Sequence, residues 1–479
     1  MNALRILLTM TMATVISSTS TAQLARTKRP EPLKTPKVQL PKIQKAPLKN
    51  GLKIWLVEQH ELPIVAMNLV VSAGSDHDPL DKPGIASMTA DVLDEGTTTR
   101  DALAIADELE FIGATVSVRS SADGSFIILN TITKHLDKAL AIYADVIANP
   151  TFPQKECDRL KKQRQTTLLQ QKDSPPAIAS LAFSRIIYGT SHPYGNDPSG
   201  SEKSLNAMTR DDLVAFYTSY YRPNNATLLV VGDVKLTDIV SRLEKSLDVW
   251  KSGPIPAVTL PPAPTMDNRR LYLIDKPGAA QSEIRIGYPA ASRNTPDFFT
   301  ITVMNRELGG QFTSRLNLNL REKHGFTYGA RSNFSFNKQP GPFVANAGVV
   351  TAKTDSSLQE FKYEIDRMHN GGMTADQLAF IKKGLMGNFT LNFETPAQIA
   401  GALQNIVLYG LPESYYETYL QNIDKVSLDD VKKAAKKYLD SSRMAFVVVG
   451  DLKVIKEGSE KLGLGETVLC NTEGNRITQ

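Results

Sequence analysis

An α+β fold of two homologous α/β-sandwich domains, each a mostly antiparallel sheet covered by helices, is predicted by three observations. The first is an internal repeat. Residues 208–234 read M-T-R-D-D-L-V-A-F-Y-T-S-Y-Y-R-P-N-N-A-T-L-L-V-V-G-D-V and residues 426–452 read V-S-L-D-D-V-K-K-A-A-K-K-Y-L-D-S-S-R-M-A-F-V-V-V-G-D-L. Asp212 matches Asp430 and Gly232 matches Gly450, both at an offset of 218. Further back, Lys161-Lys162 answers Lys382-Lys383 and Ser174-Pro175 answers Thr395-Pro396, at an offset of 221, so a loop is shortened in the second copy. The second observation is the order of periodicities, strand pairs followed by helix pairs, which favours helices layered on an antiparallel sheet. The third is Ser252 to Asp267, whose five prolines mark a linker between the copies.

The elements of the first copy follow from pattern. Leu52 to Val57 and Ile64 to Val71 alternate as paired strands. Ser87 to Leu93 and Ala102 to Ile112 read as helices, the second stopped by Gly113 as a C-cap. Thr115 to Arg119 and Ser125 to Thr133 are expected strands, Leu136 to Ile147 and Gln154 to Gln170 expected helices, and Thr227 to Val231 a closing strand. In the second copy Phe312 to Lys323 reads as a helix with a basic last turn, stopped by Gly325, and Tyr328 to Phe336 as a strand.

The N-terminus has its own character. Arg5, an apolar run from Ile6 to Ile16, and Ser20-Thr21-Ala22 form a secretory signal pattern over residues 1–22, and the run is too short to cross a bilayer. A periplasmic or secreted location is therefore expected, a retained anchor being the alternative. Residues 23–50 hold five prolines and eight Lys or Arg against the single Glu31, so this arm is expected to run extended, along a partner or an acidic surface or simply solvated. With about +7 in the arm and +1 in the signal, the remainder is near −3 out of a net +5. That leaves no basic folded face for nucleic acid. The expected organisation is thus a signal at 1–22, an arm at 23–50, a first domain at 51–251, a linker at 252–267 and a second domain at 268–479. Cys157 and Cys470 form no metal-binding or disulfide pattern and read as structural or incidental.

The stretch Gly84-Ile85-Ala86-Ser87-Met88-Thr89-Ala90-Asp91-Val92-Leu93-Asp94-Glu95-Gly96-Thr97 closely resembles the active-site helix of the pitrilysin-like zinc peptidases, the inverzincins, whose frame reads G-L-A-H-x-x-E-H-x-L-x-x-G-T. In that family two histidines on one helix face hold zinc and the glutamate acts as general base. Here Ser87 and Asp91 stand at the histidine positions and Ala90 at the glutamate. The resemblance places a third ligand about 75 residues further on, at Thr166 or Thr167, and no carboxylate lies between Asp158 and Asp173. The six histidines, His60, His77, His135, His192, His324 and His369, are never closer than 17 residues. No metal or other cofactor is expected in this chain.

A second signature runs Leu308-Gly309-Gly310-Gln311-Phe312-Thr313-Ser314-Arg315-Leu316 and on through Leu320-Arg321-Glu322-Lys323-His324-Gly325-Phe326-Thr327-Tyr328-Gly329. It resembles the family's L-G-G-G-x-S-S-R-L … L-R-E-K-R-G-L-A-Y segment. The resemblance gives Arg321 and Tyr328 the roles of the arginine and tyrosine that reach the zinc centre of a facing domain, contacting substrate and oxyanion in trans. The expectation from both signatures is a non-catalytic, substrate-positioning subunit of the bacterial two-subunit type, inactive alone. Its partner would be an H-x-x-E-H sister holding the zinc, in a heterodimer or larger assembly that degrades peptides. Three other readings are weighed beside it. Arg321 could simply pair with a neighbouring glutamate while Tyr328 packs the sheet. The whole chain could be a structural core-type protein of the same fold. Asp91, Asp94 and Glu95 could hold a hard metal.

Overall fold

The computed structural model describes residues 42–477; the expected signal and most of the expected arm lie outside the described residues. Two six-stranded mixed sheets carry the fold. The first contains β1 (Gln44–Pro47), β2 (Lys53–Glu58), β3 (Ile64–Val71), β4 (Thr115–Ser120), β5 (Ser125–Ile132) and β6 (Ala226–Gly232), in the order β1-β2-β6-β3-β5-β4. The second contains β7 (Arg270–Asp275), β8 (Gln281–Ala291), β9 (Arg331–Phe334), β10 (Gly341–Val350), β11 (Ala445–Gly450) and β12 (Glu466–Cys470), in the order β12-β7-β11-β8-β10-β9. Apart from the outermost strand on one edge, the two orders are the same. That edge is filled by β1, antiparallel to β2, in the first sheet and by β12, parallel to β7, in the second. In each sheet the central pairings are antiparallel and one internal pair, β2 with β6 or β7 with β11, is parallel.

The helices repeat as well. The first half carries α1 (Ile85–Val92), α2 (Ala102–Phe111), α3 (Leu136–Ala148), α4 (Gln154–Gln171), α5 (Pro175–Tyr188), α6 (Glu202–Ala207), α7 (Arg210–Tyr220) and α8 (Leu236–Ser246). The second carries α9 (Phe298–Leu308), α10 (Arg315–Asn317), α11 (Thr354–Gly371), α12 (Ala375–Asn388), α13 (Pro396–Tyr409), α14 (Tyr415–Lys425), α15 (Leu428–Tyr438) and α16 (Leu452–Lys461). Matching starts agree chemically. Thr209 caps α7 and Ser427 caps α15, each in a capping box closed by Asp212 or Asp430, which satisfies otherwise orphaned N–H groups. Gly113 after α2 adopts φ +63, the left-handed stop that glycine takes without a Cβ clash.

Each sheet buries one face under its own helices and the other under a helix from the opposite half. Ile178, Ala179, Ala182, Phe183 and Ile187 of α5 pack on Ile274, Val447 and Val449 of the second sheet. Ile399, Ala400, Leu403 and Ile406 of α13 pack on Val57, Val70, Leu229 and Val231 of the first. The halves are thus joined by a reciprocal exchange of helices. A polar clasp adds to it: Lys338, in the β9–β10 turn, places its Nζ 3.2 Å from Asp76 and donates to the Asp123 carbonyl at 2.7 Å. Tyr194 donates to the Asp123 carboxylate at 2.6 Å.

Two expected elements are shorter in the structure. The helix expected from Phe312 to Lys323 begins at Arg315 and continues as a π-helical turn, Leu318–Lys323. Side chains pull it there: Asn319 bonds Glu360 and Glu364 on α11, while Asn317 bonds the Phe312 carbonyl and the Ala330 N–H. The strand expected from Tyr328 to Phe336 spans only Arg331–Phe334, because Thr327 ties the preceding loop to the Gly348 carbonyl and Ser335 already closes on Pro342.

Candidate functional site

The helix α1 starts at Gly84, whose φ of +94 and whose position 2.6 Å (ideal Cβ) from the Gly200 nitrogen leave no room for a side chain. With no side-chain cap at Gly84, the helix start is closed from outside: the Asp78 carboxylate accepts from the Gly84 N–H at 2.6 Å and the Ala86 N–H at 2.9 Å. Burial nevertheless raises the Asp78 pKa to about 7 against these bonds.

One turn on, Ser87 and Asp91 share a helix face, and that face is filled by an arginine. Arg164 of α4, 10% exposed at its side chain, donates to the Ser87 hydroxyl at 3.1 Å and forms an ion pair with Asp91. Its other nitrogen donates to the Gly84 carbonyl at 3.4 Å. Ala90, between them, is fully buried and offers no polar atom. Thr166 turns its hydroxyl back to the Lys162 carbonyl at 3.0 Å, and Thr167 does the same to Gln163. The donor set therefore does not fit zinc, which takes imidazole, thiolate or free carboxylate ligands. Its one carboxylate, Asp91, already faces a fixed cation. Among the described residues no three His, Cys, Asp or Glu side chains are grouped to hold a metal ion. The hard-metal alternative is also disfavoured by pairing, since Glu95 bonds Arg159 at 2.7 Å. Sequence reasoning registered the missing carboxylates of α4 but not Arg164; the run of basic residues opposite a lone Asp91 was the available signal.

The second signature divides into supports and an exposed corner. Gly309 has no room for a Cβ, which would lie 2.2 Å from the Ser332 nitrogen; its carbonyl accepts from that N–H at 3.1 Å. Asn305 donates to the Ser332 carbonyl at 3.0 Å, so α9 covers the free edge of β9. Arg315 is buried and holds Glu307 at 3.0 Å, the Gly372 carbonyl at 2.9 Å and Gln377 at 3.1 Å, tying α10 to α9 and α12. These residues are architectural.

Arg321 and Tyr328 are placed differently. Arg321 lies 3.4 Å from Glu322 and its guanidinium sits 4.8 Å from the Phe312 ring centre. Tyr328 does not pack against the sheet: it is 89% exposed, on a loop pinned by Thr327 and Asn317 on either side. His324 stacks on Phe326 at 4.9 Å and lies 3.7 Å from Glu360. Beside Phe312 opens a cleft of about 610 Å³, lined among others by Asn305, Gly310, Arg331 and Asn346. Cys157 and Cys470 are both free and buried.

A duplicated sandwich whose α1 face is filled by an arginine defines the class, an inverzincin-type scaffold. Residues 53–192 match the family description "Insulinase (Peptidase family M16)", and residues 207–385 match "Peptidase M16 inactive domain". The chain belongs to peptidase family M16. A relative from Helicobacter pylori, named a non-peptidase homolog, YmxG, is 26% identical over 84% of this chain and 93% of its own length. A second from the same organism, named zinc protease PqqE, is 23% identical over 85% and 93%. A solved structure described as a peptidase M16 inactive domain, from Pseudomonas fluorescens, superposes with a TM-score of 0.80 at 29% identity, covering 86% of this chain and 98% of that one. The structure of a Helicobacter pylori protease shares the fold, with a TM-score of 0.79 at 22% identity over 86% of this chain and all of that one.

Proposed function

We propose that this chain is the non-catalytic, substrate-positioning subunit of a heteromeric zinc peptidase, acting on peptides with an H-x-x-E-H sister chain. The observation that carries the proposal is a contrast. Arg164 closes the vestigial metal site from within, whereas Tyr328 stands free in solvent on a pinned loop, with Arg321 on the adjoining π-helical turn. An exposed tyrosine on an otherwise anchored loop is suited to a partner's site. In that setting the Tyr328 hydroxyl donates to the oxyanion as water attacks a peptide carbonyl, and Arg321 holds a substrate carbonyl or carboxylate through its planar fork. The cleft beside Phe312 is where the peptide would lie. A non-peptidase homolog and a zinc protease, both related to this chain, occur together in Helicobacter pylori, which supports a division of labour. Export by the N-terminal signal would place the assembly in a periplasm or outside the cell.

The test is reconstitution. The purified chain alone should neither bind stoichiometric zinc nor cleave peptides. Mixed with the H-x-x-E-H protein encoded in the same genome, it should co-elute and restore cleavage. If Tyr328→Phe leaves the mixture fully active, the role assigned to Tyr328 is wrong. If no complex forms, the reading as a structural protein of this fold takes its place.

A further inference from the structure

The aromatic cleft between α9, α13 and α14 contains a buried cation with no counter-charge. Arg293, 8% exposed, stacks its guanidinium 3.8 Å from the Phe298 ring centre and 4.9 Å from that of Tyr415. Among the described residues it makes no ion pair and no side-chain hydrogen bond of good geometry; only its backbone N–H is engaged, to the Asn337 carbonyl at 2.8 Å. The Tyr415 hydroxyl is buried with the Arg293 charge beside it but likewise without a well-formed partner. Phe336, Phe389 and Tyr416 complete the walls of a cleft of about 520 Å³. That size lies within the ~300–1,000 Å³ usual for small-molecule sites, which combine apolar walls with a few placed polar groups. The Arg293 nitrogens are unpaired and open onto the cleft, where an anion that meets the fork would offset their charge.

The internal repeat gives an independent view of this cleft. In the first half Leu168, Ala177 and Ser184 line a cavity of about 320 Å³; 221 residues on, Phe389, Gln398 and Asn405 line the second-half cleft. The two are the same place in the duplicated unit. In the first copy the cations at the rim have partners, Lys172 with Glu202 at 2.8 Å and Arg185 with Glu473 at 3.3 Å. In the second, Phe389 and Phe393 stand where the first has Leu168 and Lys172, and the cation is left without a carboxylate.

We infer that the Arg293 cleft is a binding site for an organic carboxylate with an aromatic or bulky apolar body, such as the C-terminal residue of a peptide or a free aromatic acid. One cation matches one negative charge, and the rings match the body. This site is separate from the Arg321–Tyr328 corner and does not depend on the peptidase-subunit reading.

The experiment is calorimetric titration of the full chain with N-acetyl-Leu-Phe, its C-terminal amide, phenylacetate and phenyl phosphate. The free acid should bind saturably at one site, and the amide at least about 10-fold more weakly, as expected for loss of a charge-assisted bond. Arg293→Gln should remove the difference between acid and amide. Because Arg293 also packs, Gly401→Leu supplies a second arm: Gly401 lines the cleft and no atom lies within 4 Å of a Cβ built there, so the added side chain starts in open space. It should abolish binding while the melting temperature holds. Phenylacetate binding as well as the dipeptide identifies small acids as the ligand; a clear preference for the dipeptide identifies peptide C-termini. Equal binding of acid and amide, preference for phenyl phosphate, no binding, or binding unchanged in Gly401→Leu would each overturn the inference.

Discussion

Arg164 and Asp91 face each other between α4 and α1, the guanidinium placed against the helix face that carries Ser87 and Asp91. A fixed organic cation meets the carboxylate on that face and links the two helices. Arg164→Ala should therefore destabilise the fold. Breaking a buried pair costs about 3–5 kcal/mol, but Asp91 is 43% exposed, so a loss of about 1–2 kcal/mol is expected in urea unfolding. Asp91→Asn should cost less, and a double-mutant cycle should show coupling; strict additivity would mean the pair is incidental.

Tyr328→Phe should leave stability within about 0.5 kcal/mol of the parent, since the ring is 89% exposed and packs nothing. In the reconstituted assembly the same change should lower kcat about 10²-fold, the cost of one lost oxyanion donor. Arg321→Ala should act on KM as well, because it also removes a substrate contact. A thermal melt and a peptide-cleavage assay on the same preparations separate the two effects.

Gly309→Ala should be strongly destabilising, by about 2–4 kcal/mol, since the added carbon meets the Ser332 nitrogen and breaks the bond that covers the β9 edge. Circular dichroism melts would reveal it. Survival of the variant at parental stability would show that the α9 terminus can shift away from β9.

Acidity changes should be felt at both ends of α1. The Asp78 carboxyl is raised to about 7 in the fold by burial, against 3.8 when unfolded, and Asp94 is raised to about 6 for the same reason. Between these values the folded chain binds more protons than the unfolded one, so stability falls as pH rises from about 4 to about 7 and the loss is complete above that. Melting temperatures taken across this range should decline, and the decline should flatten in Asp78→Asn.

Much of the architecture was legible because the signals were local. Ile64–Val71 is expected as a strand from alternation, yet it is buried on both faces, so its unbroken apolar run marks it better than its period. The repeat fixed the duplication. The departure from the zinc motif could be read directly from Ser87, Ala90, Asp91 and Thr166. What replaced it could not, because the Arg164 contacts span 73 and 77 residues and depend on how α4 lies across α1. The π-helical turn was missed for a related reason: Asn319 is drawn to α11 by tertiary bonds that outweigh helical spacing. Likewise the apolar run of α5 announces burial, yet no periodicity tells which sheet it covers.

A single copy of this unit would leave one face of its sheet bare, and its own fifth helix would have nowhere to pack except on a second copy. The exchange of α5 and α13 is the geometry of a swapped homodimer, fused through the proline-rich segment at 252–267. Cutting the chain there should yield two fragments that precipitate when made separately and complement each other when made together.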